Sequence, residues 1–192
     1  AAMADCTYKA RPWDEVGIRH LLQRPMGGIF ADPGCGKTGQ TLCAAAILKK
    51  RKHIDHLLVL APLNPVYEVW PKEIEKWGFG LTCAVLHGKH KDRWLDDPQD
   101  VNVMNYDGLA WLAENFKRLV KPGKRWWLVA DESTKLKHSN TQRFKMLKGM
   151  LPLFARRTIL TGTPTPNGLL DLFGQVYVVD LGSALGRYVT QY

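Results

Sequence analysis

The sequence predicts an α/β fold built on a doubly wound, mainly parallel sheet, and three observations carry that prediction. Short apolar runs alternate with helical patterns along all 192 residues, the order expected of successive βαβ units. Several runs are apolar without alternation, as in strands covered on both faces. A glycine-rich turn joins the first run to a helical pattern, where such folds place an anion-binding loop. One domain spanning 1–192 is expected at this length. No internal repeat, low-complexity tract or linker divides it.

In chain order, a helix is predicted over 12–23 and a strand over 27–31, followed across the glycine turn by a helix over 37–51. The run His56, Leu57, Leu58, Val59, Leu60, Ala61 predicts the second strand, and a helix over 65–77 follows it. Strands over 82–86 and 101–104 precede a helix over 106–119. Val120, Lys121, Pro122, Gly123, Lys124 and Arg125 form the clearest turn. Beyond it come a strand over 126–130, a helix over 139–149, a strand over 157–161 and a helix over 168–180. Ligands of such a fold sit at the carboxyl ends of its strands. The tryptophans at 70, 77, 94, 111, 126 and 127 fall on apolar faces and predict core packing. Trp126 and Trp127, adjacent in a strand, must face opposite sides.

Hydrophobic residues at 45% and charged residues at 23% place the chain among globular proteins. No apolar run approaches the ~20 residues of a transmembrane helix, so no membrane partner is expected. The first residues lack the apolar core of a signal peptide. Cys6, Cys35, Cys43 and Cys83 show neither pairing nor metal spacing, and one lies inside the glycine turn. Reduced thiols in a cytoplasmic protein are therefore expected. The pair His87 and His90 has no Cys or acid pair at ligand spacing and is not read as a metal site.

The formal net charge of +9 is uneven. Residues 117–157 hold 12 Lys/Arg against 2 Asp/Glu, while 1–116 balance at 14 against 14. Lys117, Arg118, Lys121, Lys124, Arg125, Lys135, Lys137, Arg143, Lys145, Lys148, Arg156 and Arg157 make up the surplus. Such clustering suits a phosphate backbone.

Three motifs carry chemistry. The turn Ala31, Asp32, Pro33, Gly34, Cys35, Gly36, Lys37, Thr38 follows an apolar run and enters a helix through Gly39. Backbone N–H groups and the positive helix end converge on an anion there. Lys37 reaches the β- and γ-phosphates, and the Thr38 hydroxyl ligates Mg²⁺, so a nucleoside triphosphate is the expected ligand. At the end of the strand over 126–130 stand Asp131 and Glu132. The first would hold Mg²⁺ and the second would orient and deprotonate the attacking water. The third motif, Thr161, Gly162, Thr163, Pro164, ends the strand over 157–161. Its hydroxyls would bond Glu132 and relay the state of the γ-phosphate.

These residues resemble, in order and spacing, the first RecA-like lobe of superfamily 2 helicases, nearest the Swi/Snf-like DNA translocases and their phage relatives. Arg11, Pro12, Trp13, Asp14 resemble the Q-motif region and 31–38 motif I. Pro62 and Leu63, with Trp70 and Trp77 following, resemble motif Ia, and Asn105, Tyr106, Asp107 motif Ib. Asp131, Glu132, Ser133, Thr134 resemble motif II, and 160–164 motif III. The likeness covers about 8–180. It implies ATP and Mg²⁺ as cofactors and a nucleotide site of Arg11, Trp13, Asp14, Pro33, Gly34, Cys35, Gly36, Lys37, Thr38 and Gly39. It implies coupling through Thr134, Thr161, Gly162 and Thr163. It places nucleic acid, DNA rather than RNA, on Pro62, Leu63, Asn105, Tyr106, Lys135 and Lys137.

Two departures stand out. The family's adenine-reading Gln falls at Asp14, which as a carboxylate only accepts hydrogen bonds. Motif II ends in Ser133 and Thr134, where the family often has Ala and His. The resemblance further implies a second RecA-like lobe, in cis or trans, supplying an arginine finger, so the isolated piece is expected to hydrolyse ATP weakly. Two alternatives stay open here: a phosphotransferase on the same cradle and a non-catalytic nucleic-acid-binding module. The first needs lid arginines, and residues 158–192 hold only Arg187.

Overall fold

The computed structural model describes residues 6–186 and 188; Arg187 lies outside them. Six strands form one sheet in the order β1-β6-β5-β2-β4-β3. They are β1 (Met26–Phe30), β2 (His56–Ala61), β3 (Cys83–Val85), β4 (Val101–Asn105), β5 (Trp126–Asp131) and β6 (Arg156–Thr161). Every pairing is parallel, as the apolar, non-alternating runs predict.

Successive residues of each strand feed two separate cores. Leu58, Leu60, Met104, Trp126, Leu128 and Ile159 pack with helices α5 (Leu109–Leu119), α6 (Gln142–Met150) and α7 (Asp171–Asp180). Leu57, Val59, Val103, Trp127, Val129 and Leu160 pack on the other face. There they meet α1 (Pro12–Gln23), α2 (Lys37–Lys50), α3 (Leu63–Glu68) and α4 (Trp70–Trp77). Trp126 and Trp127 are both fully buried, one in each core. Trp70 is fully buried as well, whereas Trp77, Trp94 and Trp111 are partly buried against the cores.

The helix predicted over 65–77 is two helices. Pro71 has no N–H to continue the ladder, and its ring excludes the carbonyl four residues back. The chain breaks at Val69 (φ −112°, ψ −63°) and restarts at Trp70. The helix over 106–119 opens as a 3₁₀ turn, Tyr106–Gly108, before α5. The helix over 139–149 begins three residues later, where the Thr141 hydroxyl caps the Phe144 N–H at 3.2 Å.

Arg156 and Arg157 correct the reading of the basic segment. Both are buried in β6. Arg156 Nη2 donates to the carbonyls of Leu21 and, at 3.1 Å, Arg24, closing the end of α1. Arg157 donates to Val179 O at 2.9 Å and Leu151 O at 3.0 Å, at the end of α7 and the turn Leu151–Leu153. Unpaired carbonyls at helix ends favour cations, so these two guanidiniums hold the fold together. Arg118 and Arg125 pair with Asp96 and Asp55.

Candidate nucleotide and nucleic-acid clefts

The strand order decides which motifs meet. β1, β6 and β5 are neighbours, so their carboxyl ends bring 31–38, 161–163 and Asp131–Glu132 to one edge. A cleft of about 270 Å³ is lined by Pro33, Lys37, Asp131, Glu132, Thr134, Thr161, Gly162 and Thr163. The phosphate loop turns through Gly34 (φ +83°) and Gly36 (φ +79°), a left-handed backbone that side chains resist. A Cβ at Gly36 would in addition displace the end of the Arg11 side chain from its place beside the loop. The Lys37 ammonium donates to Ala31 O (2.5 Å) and Asp32 O (3.0 Å), holding it under the loop. Gly162 passes so close to the loop that a Cβ would meet Pro33 Cδ at 2.9 Å. Cys35 and Thr38 are half-buried in the loop and at the entry of α2; Gly39 is buried beneath the Tyr8 ring.

Asp131 is held on both oxygens. Oδ2 accepts the Trp70 indole N–H at 3.0 Å, and Oδ1 accepts the Glu132 N–H at 3.0 Å. Burial drives its pKa up, aided by the neighbouring Glu132 charge; the Trp70 bond opposes the rise. Glu132 sits at φ +49°, ψ +56°. A left-handed non-glycine costs about 1–2 kcal/mol and persists where its surroundings fix it. The Thr161 hydroxyl oxygen accepts the Thr163 N–H at 3.2 Å, an in-loop bond, while both threonines share the cleft with Glu132.

Asp14, to which the resemblance assigns adenine, is engaged by donors of the protein itself. It is 1% exposed, and its oxygens accept four donors. These are Arg11 N (2.9 Å), Arg11 Nε (2.7 Å), Arg11 Nη2 (3.0 Å) and Gln40 Nε2 (2.9 Å). Burial raises its pKa, but the Arg11 and Gln40 bonds outweigh that and leave it below the usual range. Arg11 in turn lies over the exposed Trp13 ring, 4.8 Å from its centroid. The group braces the phosphate loop, since Gln40 also donates to Cys35 O at 2.9 Å.

A second cleft of about 140 Å³ opens at the ends of β2 and β4. Pro62, Leu63, Asn105, Tyr106, Asp107, Lys135 and Arg143 line it. Five of the six residues predicted for nucleic acid therefore converge. Lys137 does not: its ammonium lies 3.5 Å from Asp171 Oδ2 in the first turn of α7. Arg143, which the sequence offered only as one of a basic dozen, stands at the cleft and pairs with Asp107 at 2.5 Å.

A profile of the SNF2-related domain matches residues 16–184. The chain belongs to the SNF2-related domain family. It is 34% identical over 195 residues to protein p41 of Acyrthosiphon pisum secondary endosymbiont phage 1, covering 94% of this chain and 41% of that one. It is 31% identical to the human DNA excision repair protein ERCC-6-like, covering 85% of this chain and 14% of the relative. The Sulfolobus solfataricus SWI2/SNF2 ATPase core, solved in complex with dsDNA, superposes with a TM-score of 0.78 at 26% identity. That match spans 97% of this chain and 38% of the archaeal one. The chain thus spans less than half the length of these relatives, and its fold matches part of the archaeal ATPase core.

Four hydrogen bonds around the candidate site of this SNF2-related domain escaped the sequence. Trp70 is core, as predicted, yet its N–H also holds the motif II acid. Ser133 Oγ donates to Gln175 Oε1 at 2.7 Å, and Gln175 Nε2 donates to Pro164 O at 2.6 Å, tying motif II to motif III through α7. A Gln inside the apolar run 172–179 was the available signal. Tyr106 is buried, and its hydroxyl donates to Asp131 O at 2.7 Å instead of reaching solvent. Among the described residues no helix is long and apolar enough to cross a membrane.

Proposed function

We propose that this chain is the ATP- and Mg²⁺-binding lobe of a DNA translocase, acting on double-stranded DNA once completed by a second RecA-like lobe. The observation that carries the reading is the convergence of Lys37, Asp131 and Glu132 on one cleft at three adjacent strand ends. The left-handed loop at Gly34 and Gly36 aims backbone N–H groups at the entry of α2, a cradle for phosphate oxygens. Phosphate oxygens replace the Ala31 and Asp32 carbonyls as partners of the Lys37 ammonium.

Thr38 and Asp131 supply one hydroxyl and one half-buried carboxylate, a hard oxygen donor set that fits Mg²⁺. When bound, the ion neutralises charge on the β- and γ-phosphates. The Trp70 N–H favours the ionised form of Asp131 that such a ligand needs. Glu132, beside it in the cleft, accepts the proton of the attacking water. Thr161, Gly162 and Thr163 lie against both the loop and the acids, so they sense the γ-phosphate. Pro62, Leu63, Asn105, Lys135 and Arg143 meet a phosphate backbone, giving affinity without sequence choice. An arginine from the second lobe contributes on the order of 10³–10⁵ in rate, so the lone lobe turns over slowly.

Equilibrium titration with a fluorescent ATP analogue and Mg²⁺ tests the reading. Lys37→Ala removes charge-assisted bonds of about 1.5–3 kcal/mol, so affinity falls roughly tenfold or more. Asp131→Asn abolishes the Mg²⁺ dependence of binding. Equal affinity of the Lys37→Ala variant and the parent refutes the nucleotide site.

A further inference from the structure

One side chain serves both clefts. Tyr106 begins the turn after β4 and lines the second cleft between Asn105 and Asp107. Its hydroxyl donates to the main-chain oxygen of Asp131, at the end of β5. β4 and β5 are not neighbours in the sheet; β2 lies between them. The bond therefore spans the end of β2, next to Pro62 and Leu63, which line the same cleft. It is a direct side-chain hydrogen bond between the wall of one cleft and the acid strand of the other, beside the main-chain bond from Lys135 N to Glu132 O at 3.0 Å.

What it grips matters more than its length. The Asp131 carbonyl and the Glu132 N–H belong to one peptide plane. Tyr106 holds the oxygen end at 2.7 Å, and the Asp131 carboxylate holds the N–H end at 3.0 Å. Rotation of that plane is what would carry Glu132 out of its left-handed backbone, φ +49°. A non-glycine there has two discrete wells, left-handed and right-handed or extended, separated by steric exclusion. Coupling between sites needs such a two-state element whose balance both sites bias.

We propose that Tyr106 is a positioning residue that transmits occupation of the Pro62–Asn105–Arg143 cleft by a nucleic-acid backbone to the Asp131–Glu132 peptide. A phosphate at Asn105 or Arg143 competes with the Arg143–Asp107 pair and moves the turn that carries the Tyr106 ring. The hydroxyl hands that movement to the peptide plane and so to the placement of Glu132. The inference rests on the function proposed above.

The test is the thermodynamic coupling between ligands. Affinity for a fluorescent ATP analogue with Mg²⁺ is measured with and without a saturating short DNA duplex, and duplex affinity with and without nucleotide. Linkage requires the two factors to be equal, and couplings of this kind run roughly 5–150-fold. Tyr106→Phe keeps the ring in the cleft and removes the bond. Its coupling factor is expected to fall to within about twofold of unity, whatever its affinity for each ligand alone. A merely structural hydroxyl would lower stability and both affinities together and leave the factor intact. Retention of the parent's factor by Tyr106→Phe overturns the proposal. A parent that binds both ligands with a factor of one also overturns it, leaving the proposed function standing; a parent that binds neither ligand removes both.

If the Phe variant does not fold, a measurement on the tyrosine-bearing chain decides. Carbonyl-labelled Asp combined with nitrogen-labelled Glu marks only the peptides Asp14–Glu15 and Asp131–Glu132. The exposed substitution Glu15→Gln leaves Asp131–Glu132 alone. Its carbonyl resonance must shift when duplex is added without nucleotide. An unmoved resonance at duplex saturation overturns the proposal.

Discussion

Gly174 and Gly149 receive the same substitution with opposite expected signs. Both lie in helices, α7 and α6, where replacing Gly by Ala ordinarily stabilises by up to ~1 kcal/mol. At Gly149 a Cβ meets nothing within 4 Å, so that gain is realised. At Gly174 the same atom would lie 2.1 Å from Leu136 O and 2.9 Å from Lys137 O. Those oxygens are backbone of the turn that follows the acid pair and cannot rotate aside. The helix and the turn must separate by roughly 1 Å to restore van der Waals distance. Overpacking of this severity costs about 3 kcal/mol or more. Subtracting the ~1 kcal/mol propensity gain leaves Gly174→Ala destabilised by about 2 kcal/mol or more. Thermal unfolding followed by circular dichroism should show a fall of roughly 4–8 °C or more for Gly174→Ala and a rise of up to about 2–4 °C for Gly149→Ala. Because Gln175 rides on the same helix and ties Ser133 to Pro164, Gly174→Ala also weakens nucleotide binding in the folded fraction. Equal melting temperatures for the two variants would refute the close approach of α7 to the motif II turn.

Arg157→Met removes the donors to Val179 O and Leu151 O and is expected to cost about 2–4 kcal/mol by denaturant unfolding, while duplex affinity of the folded protein stays unchanged. A loss of duplex affinity without loss of stability would return this residue to the nucleic-acid surface. Asp14 keeps its carboxyl ionised below the usual range, so the native state binds its proton later than the unfolded chain, whose value is about 3.9. Its contribution is complete above that pH and vanishes as pH falls through the lower native value. The gap in melting temperature between the parent and Asp14→Asn should therefore be constant near neutrality and narrow below about pH 4; a gap that persists or widens in acid counts against the Arg11–Asp14 bracing. Lys135→Gln should weaken duplex binding uniformly across sequences and reduce the salt slope by about 1, and an unchanged slope would place Lys135 off the track.

Much of the fold was legible because its signals are local. The apolar runs at 56–61 and 126–130 name buried parallel strands on their own, and all six predicted strands form. The glycine-rich turn read before Lys37 forms, with Gly34 and Gly36 in left-handed backbone. Errors fell where a single residue interrupts a period, as Pro71 does at Val69. They also fell where a residue type has two uses: Arg156 and Arg157 are charged, yet helix ends nearby demanded buried donors. Lys137 and Asp14 look like ligands in sequence and are engaged by Asp171 and by Arg11 with Gln40.

By itself the sequence determined which residues are candidates to carry chemistry, because a glycine-rich turn, a strand-terminal acid pair and a threonine-rich turn are each written within a few consecutive positions. Only the tertiary structure decided how they meet. The order β1-β6-β5-β2-β4-β3 is set by burial of two cores over the whole chain, a many-body balance that no short window contains. That order puts β5 between both clefts, and so lets Trp70 and Tyr106, forty or fewer residues apart in sequence from each other but on different elements, hold opposite sides of Asp131.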